Sequence, residues 1–124
     1  MIKIEVPQPD LTIIKKNSEG DTSEAAIARE YGFIDYHKIA RDKGGIYMYY
    51  DARDELMFVG KARKLRMRIR KSFEDTASPI KLHRDDVYKI EVCYVDDPME
   101  REIYETYIIN QFQSKYNIEK VFFK

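Results

Sequence analysis

Two short runs of apolar and aromatic residues stand out near the middle of the chain. The first is IYMYY at residues 46–50 and the second is ELMFVG at residues 55–60, with the polar stretch DARD between them. Apolar runs around a short polar turn predict a β-hairpin, although this turn is longer than the favoured two-residue kind. Further along, residues 87–95 (VYKIEVCYV) are rich in β-branched and aromatic side chains, which predicts a central strand.

Helical periodicity follows the hairpin. The apolar positions there recur at helical spacing, and they are Ala62, Leu65, Ile69 and Phe73. The basic positions lie on a neighbouring stripe, and they are Lys61, Lys64, Arg68 and Lys71. Because both sets follow the period of an α-helix, the segment predicts one helix with an apolar side and a basic side.

A second helix is predicted to begin at residues 97–100. The sequence DPME supplies a capping aspartate, a proline at the first helical position and an acid at the third. We expect this helix to run to about residue 113 and to be buried on more than one side, because it is apolar around most of its circumference. Residues 74–85 predict a loop, and residues 114–124 return to a strand-like pattern.

The first part of the chain predicts a smaller unit. Residues 2–6 alternate between apolar and polar side chains like a short strand, and residues 11–21 predict a loop or irregular turn. Residues 22–32 begin with the capping residues Thr and Ser and end with Gly, which predicts a short helix. We expect residues 1–43 to form an N-terminal extension that packs on a main domain of residues 44–124.

Composition favours a single soluble domain. A chain of 124 residues suits one core, and an apolar content of 44% is enough to build it. No run of about 18 apolar residues exists, and the N-terminus is too polar for a signal peptide. The lone Cys93 excludes an internal disulfide and a thiolate framework for zinc. We therefore expect a cytoplasmic protein that does not bind membranes.

Charge is segregated along the chain. Lys plus Arg and Asp plus Glu each number 22, so the formal net charge gives no argument for binding nucleic acid. Residues 61–71 (KARKLRMRIRK), however, contain seven basic residues and no acidic one, whereas residues 95–105 contain five acidic residues and one Arg. This distribution predicts a local site for an anion.

The middle of the sequence resembles a known nuclease module. The sequence GIY at residues 45–47 is followed by FVG at residues 58–60, and the longer stretch FVGKARKLRMRI at residues 58–69 is similar to the motif YIGKAxxLxxRL. These motifs resemble the GIY-YIG nucleases, and more closely the N-terminal nuclease domain of the bacterial excision-repair protein UvrC. Glu100, Glu105 and the sequence KYN at residues 115–117 extend the similarity, which covers about residues 44–118.

The resemblance implies an enzyme with an α+β fold, in which a small three-stranded antiparallel sheet is flanked by helices. It implies an endonuclease that hydrolyses DNA phosphodiester bonds with one divalent ion, Mg²⁺ or Mn²⁺, in repair, restriction or mobile-element biology. A catalytically weak nucleic-acid-binding module that keeps the fold is the alternative. A protein-interaction domain with a tyrosine-rich surface is a third. DNA is the expected partner, and we expect specificity to come from residues 1–43, a homodimer or a protein partner.

The resemblance also implies roles for five side chains. Glu105 would hold the metal ion, because a single carboxylate on a rigid helix suits an ion that keeps several waters. Arg68 would bind two nonbridging phosphate oxygens with its planar guanidinium. Tyr47 would be the general base, with Lys61 as the neighbouring cation that favours its phenolate form. Asn117 would orient the metal-binding helix or a water.

Three further basic residues would hold the DNA backbone through sequence-independent contacts, namely Lys64, Arg70 and Lys71. The sequence departs from the family pattern at two positions. Phe58 replaces the tyrosine of the second motif, and Ser72 stands where the family often carries a tyrosine or histidine. The arginine and glutamate of the pattern remain, which favours the enzyme, while the two departures keep the binding-module alternative open.

Overall fold

A four-stranded antiparallel sheet lies at the centre of the structure. The computed structural model describes residues 3–16 and 26–123. The strands within these residues are β1 (Leu11–Ile14), β2 (Gly45–Tyr50), β3 (Leu56–Ala62) and β4 (Lys89–Tyr94). Their order across the sheet is β1-β4-β2-β3, and all neighbouring pairs are antiparallel. β2 is therefore an inner strand, whereas β3 is an edge strand.

Helices cover both faces of this sheet. The helices of the described residues are α1 (Ala26–Arg29), α2 (Leu65–Glu74), α3 (Pro98–Gln111) and the 3-10 helices Ile34–Lys38 and Lys81–Asp86. Successive side chains of a strand point to opposite faces. Tyr47 and Tyr49 accordingly pack in one core with α2, while Ile46 and Met48 pack in a second core with α3. Within residues 3–16 and 26–123, the structure contains no candidate membrane-spanning helix.

The predicted hairpin is confirmed as β2 and β3. The carboxylate of Asp51 organises its turn, because Oδ1 accepts hydrogen bonds from the backbone N–H groups of Arg53 at 2.9 Å and Glu55 at 3.0 Å. Asp54 takes a left-handed backbone conformation with φ of 63°. Aspartate tolerates this conformation better than most residues, which explains how a turn longer than two residues closes the hairpin.

The prediction for the N-terminal segment was wrong. Residues 3–10 contain no regular secondary structure, and the strand is β1, in the stretch predicted as a loop. The physical reason lies in burial. Ile13 is 1% exposed, and its segment pairs with β4 from Leu11 opposite Val92 to Ile14 opposite Lys89. The sheet thus has four strands rather than three. The division between residues 1–43 and 44–124 stays a prediction, although β1 belongs to the same sheet as the later strands.

Three further predictions need correction. Lys61 and Ala62 belong to strand β3, paired with Ile46 and Gly45, so the basic stripe is not one helical face. The predicted loop 74–85 contains most of the 3-10 helix Lys81–Asp86. Residues 112–123 contain no strand. The predicted helix over residues 22–32 is α1, and its predicted capping residues lie outside the described residues.

Helix α3 and strand β4 are confirmed. The helix begins at Pro98, and the Asp97 side chain accepts a hydrogen bond from the backbone N–H of Met99 at 2.9 Å. This cap binds a backbone donor that has no partner within the helix. The helix ends at Gln111, two residues earlier than predicted, and it carries Glu105 on a buried position.

The close approach of β2 and β4 leaves no room for a side chain at Gly45. A Cβ atom at this position would lie 1.9 Å from the carbonyl oxygen of Cys93 on β4. We predict that Gly45→Ala lowers the free energy of unfolding by about 1–3 kcal/mol, because the obstacle is backbone in an inner strand and overpacking forces it to move. Urea denaturation followed by circular dichroism checks this value. Lys81→Ala, at an exposed position, is the control and should change stability by less than about 0.5 kcal/mol. Equal effects of the two substitutions would contradict the steric account.

Candidate active site

Five separate parts of the chain meet at one cleft beside the edge of the sheet. The cleft has a volume of about 420 Å³ and lies between the β2–β3 hairpin, α2, the loop at residues 77–79, α3 and the segment that follows α3. Its lining includes all five side chains predicted for catalysis, namely Tyr47, Lys61, Arg68, Glu105 and Asn117. The fold therefore brings together residues that are up to 70 positions apart in the sequence. Their individual roles stay predictions.

Tyr47 is held in place by the glycine opposite it. The two residues are register partners in the hairpin, and Tyr47 is only 2% exposed. A Cβ atom at Gly60 would lie 2.2 Å from both Cζ and the hydroxyl oxygen of Tyr47. The ring thus lies directly over the Gly60 backbone, in space that any other residue would fill. The glycine of the second motif therefore leaves the space in which the phenol of the first motif lies.

Burial raises the pKa of Tyr47 above its ordinary value of 10.0. The charge of Arg68, with hydrogen bonding to Arg68 and Ser72, opposes this rise, and the charge of Glu105 adds to it. Tyr47 is therefore a neutral phenol near pH 7. The cation with the largest effect on the pKa of Tyr47 is Arg68. Lys61, predicted for this position, instead forms an ion pair of 2.7 Å with Glu102.

Arg68 projects from α2, and the end of this helix is fixed by Arg84. The Nε of Arg84 donates to the carbonyl of Ser72 at 2.8 Å, and a second guanidinium nitrogen donates to the carbonyl of Asp75. Carbonyls in the last turn of a helix lack hydrogen-bond donors within the helix, and the Arg84 guanidinium supplies them here. Arg68 itself is exposed, which leaves its guanidinium accessible from the cleft.

Glu105 lies in an acid–base network of four side chains. Its Oε1 accepts a hydrogen bond from Lys120 Nζ at 2.6 Å, and the same ammonium lies 2.7 Å from the carboxylate of Glu102. Lys61 also binds Glu102 at 2.7 Å. Hydrogen bonds from Lys120 and Lys61 lower the pKa of Glu102 to about 2. Although burial lowers the pKa of Lys120, its hydrogen bonds to Glu102 and Glu105 outweigh that effect and raise it.

Sequence reasoning missed two members of this network. Glu102 could have been found, since it precedes Glu105 by three positions and such residues are neighbours on a helix. Lys120 could not, because it follows α3 in a segment that was predicted to be strand-like. Only the tertiary fold brings its ammonium back to α3.

Asn117 completes the free edge of β3. Its Oδ1 accepts from the N–H of Val59 at 2.9 Å, and its Nδ2 donates to the carbonyl of Val59 at 2.9 Å. The hydroxyl of Ser114 also donates to Oδ1, at 2.6 Å. The amide thus imitates a neighbouring strand beside Gly60. Its hydrogen bonds in the structure support the hairpin, whereas the sequence prediction placed its support on the metal-binding helix or on a water.

The three basic residues predicted to contact DNA are all exposed, and they differ in their surroundings. Lys64 lies at the start of α2 and Arg70 pairs with Glu74 on the same helix at 3.2 Å. Lys71 lies beside Arg68 and Tyr47 at a small side pocket of about 100 Å³. Phe58, the residue that departs from the family pattern, lines the main cleft, with its ring centroid 6.2 Å from that of Tyr47.

The donor set suits a hard divalent ion bound through one carboxylate. Within residues 3–16 and 26–123, no group of three or more His, Cys, Asp or Glu side chains is arranged to hold a metal. Mg²⁺ does not need such a cage, because it keeps several waters and binds proteins through one or two carboxylates. Glu105 is 8% exposed, and the cleft it lines has room for water beside its carboxylate. The residues present therefore fit an ion of this kind.

The fold and the hairpin motifs define a GIY-YIG domain. The family model described as the UvrC-like GIY-YIG domain matches residues 43–118, and the chain belongs to this family. The prediction of family and fold class is confirmed, with the strand count corrected as above.

The chain matches one relative along its full length and a small part of another, much longer relative. It is 67% identical over 124 residues to the uncharacterized protein YurQ of Bacillus subtilis, covering 100% of both chains. It is also 32% identical over 77 residues to the UvrABC system protein C of Clostridioides difficile, and this match covers 60% of the chain and 13% of the relative. The chain thus resembles YurQ along its whole length and only a small part of the UvrC relative.

A solved structure shares the fold. It is the magnesium-bound crystal structure of the GIY-YIG N-terminal endonuclease domain of UvrC from Thermotoga maritima. The TM-score is 0.59 at 22% sequence identity, and the match covers 68% of this chain and 97% of that one.

The contact between Tyr47 and Gly60 predicts a strong coupling between the two positions. Gly60→Ala should lower the free energy of unfolding by about 1–3 kcal/mol, because the new methyl group meets the Tyr47 ring. In a Tyr47→Ala background the same substitution should cost less than about 1 kcal/mol, since the obstacle has been removed. A double-mutant cycle by urea denaturation measures the difference. An equal cost of Gly60→Ala in both backgrounds would show that the ring does not depend on this glycine.

Proposed function

We propose that this protein is a metal-dependent endonuclease that hydrolyses DNA phosphodiester bonds at the cleft described above. One observation carries the proposal: Tyr47 from β2, Arg68 from α2 and Glu105 from α3 line the same cleft. This set combines a group that can exchange a proton, a guanidinium for phosphate and a carboxylate for a hard cation. Phosphodiester hydrolysis needs all three functions.

The related proteins support the same chemistry. The matched domain of Thermotoga maritima UvrC is described as an endonuclease domain, and its structures contain a catalytic divalent cation, which is magnesium in one of them. By extension, we propose Mg²⁺ or Mn²⁺ as the cofactor of this chain and DNA as its substrate. The role that we propose for this activity is in repair, restriction or mobile-element biology.

Arg68 and Glu105 act on opposite parts of the reacting phosphate. The exposed guanidinium of Arg68 donates two parallel hydrogen bonds to nonbridging oxygens, whose negative charge grows as water attacks. Glu105 would hold the divalent ion, which supplies Lewis-acid stabilisation of the leaving oxygen when it is bound. Lys64, Arg70 and Lys71 would hold the flanking backbone, a contact that weakens with salt and ignores sequence.

Tyr47 accepts the proton of the attacking water. It can do so only as a phenolate, and its raised pKa makes this form scarce near pH 7. The positive charge of Arg68 favours the phenolate form of Tyr47. The residue proposed to bind the phosphate therefore also helps the residue proposed to accept the proton. Gly60 and Asn117 contribute by holding the hairpin in which the phenol is placed.

A catalytically weak nucleic-acid-binding module is the second candidate function. Phe58 favours it, because this ring lines the cleft where the family pattern has a phenol, and Ser72 offers a small hydroxyl in place of a larger group. Such a module would bind DNA in a salt-sensitive manner without cutting it. The two functions are separated by a cleavage assay.

Substitution of Glu105 or Arg68 should abolish cleavage of supercoiled plasmid. Glu105→Gln and Arg68→Ala should each lower the nicking rate in Mg²⁺ or Mn²⁺ at least about 100-fold, roughly 2.7 kcal/mol of barrier. The matched controls are Glu100→Gln on the same helix and Arg66→Ala, whose guanidinium packs over the ring of Tyr36. Both controls should stay within a few-fold of wild type. Folded protein that binds DNA but leaves it intact with either ion would favour the binding module.

The raised pKa of Tyr47 predicts an alkaline rise in activity. Below this pKa, the phenolate fraction increases about tenfold per pH unit, so the nicking rate should rise with pH between 7 and about 8.5. Tyr47→Phe should lose most activity and this dependence together. Single-turnover nicking in Mg²⁺ at several pH values tests both. A Tyr47→Phe variant that keeps the same pH profile would assign the proton transfer to another group.

A further inference from the structure

Lys120 occupies one of the two carboxylate oxygens of Glu105. Its ammonium lies 2.6 Å from Oε1 of Glu105, the carboxylate proposed to hold the ion, and 2.7 Å from Glu102. Lys120 also lines the cleft together with Arg68. It lies beyond residues 43–118, the part of the chain that matches the family model. This contact is therefore a feature of the chain itself rather than of the matched motifs.

The backbone around Lys120 is built to hold this contact. Lys120 takes a left-handed conformation with φ of 62°, which a side chain with a Cβ atom rarely adopts. The side-chain amide of Asn110 on α3 holds the segment on both sides. Its Nδ2 donates to the carbonyl of Lys120 at 2.8 Å, and its Oδ1 accepts from the N–H of Phe122 at 2.5 Å. The helix that carries Glu105 thus also positions the lysine.

Two cations cannot share one carboxylate oxygen without strong repulsion at such short range. A divalent ion that binds Glu105 through Oε1, or through both carboxylate oxygens, must therefore displace the Lys120 ammonium. The exchange has a ready path, because Lys120 bridges two acids and can keep Glu102 when it leaves Glu105. Lys61 shares Glu102 with it, so the charge of that acid stays compensated throughout.

From this geometry we infer that Lys120 is an internal competitor for the metal ion at Glu105. The lysine lowers metal affinity and keeps the buried carboxylate paired until an ion replaces it. Metal loading is thereby coupled to the position of the segment that follows α3. The inference rests on the proposed function, since it takes Glu105 as the metal ligand.

Calorimetric titration with Mn²⁺ alone tests the competition. Lys120→Met, which keeps length and removes charge, should bind Mn²⁺ at least about tenfold more tightly than wild type. Lys115→Met is the matched control, because Lys115 also follows α3 and pairs with two acids, Asp51 and Glu55, outside the cleft. It should bind within about twofold of wild type. Equal or weaker binding by Lys120→Met would overturn the inference.

The outcomes for the two proposals are distinguishable. Tighter binding by Lys120→Met that disappears on adding Glu105→Gln supports the competition, even if the protein cuts no DNA. Wild-type binding through Glu105 that Lys120→Met does not improve overturns the competition alone and leaves the metal site standing. A failure of both wild type and Lys120→Met to bind Mn²⁺ overturns the metal site and the competition together.

A second measurement uses the wild-type protein and does not depend on the folding of a variant. An Mg²⁺ titration is followed by NMR of the lysine side-chain ammonium groups. The Lys120 resonance should shift as Mg²⁺ is added, and the Lys115 resonance should stay unchanged. An unchanged Lys120 resonance at saturating Mg²⁺ would overturn the inference.

Discussion

The contact between the Tyr47 ring and the backbone of Gly60 is the constraint on which the site depends. The ring fills the space that a side chain at residue 60 would take, and the phenol lies at the border of the α2 core and the cleft. The hairpin must then be held rigidly on both sides. Gly45 allows the close approach of β4, and Asn117 pairs with the outer edge of β3 beside Gly60. Both motif glycines thus help to position Tyr47, Gly45 through the packing of β2 against β4 and Gly60 through the space it leaves for the ring.

Electrostatics divides the cleft into two halves. On one side, the charge and hydrogen bonding of Arg68 oppose the rise that burial causes in the pKa of Tyr47. On the other side, Glu105 is compensated by Lys120, within the network that also contains Glu102. A chain with zero formal net charge can therefore present the exposed Arg68 to an anion while Glu105 is paired with Lys120. The proposed chemistry needs both halves of the cleft.

The parts of the fold that could be predicted from sequence carry local signals. The hairpin follows from two apolar runs around a turn, and the start of α3 follows from Asp97 and its proline neighbour. The parts that could not be predicted depend on distant partners. Strand β1 exists because Ile13 reaches the core beside β4, and Lys120 reaches Glu105 only through the fold. The spacing of the motifs predicted which residues line the same cleft, but it did not predict which cation forms an ion pair with each acid.

The proposed site is tested most directly by a crystal structure of the Tyr47→Phe variant with a short DNA duplex and Mn²⁺, using the anomalous signal of manganese. We expect one Mn²⁺ peak on Glu105, with a single phosphate lying between that ion and the guanidinium of Arg68. We also expect the ring of residue 47 to face the same phosphorus atom. A manganese peak away from Glu105, or DNA bound on another surface with no phosphate in the cleft, would contradict the proposed site.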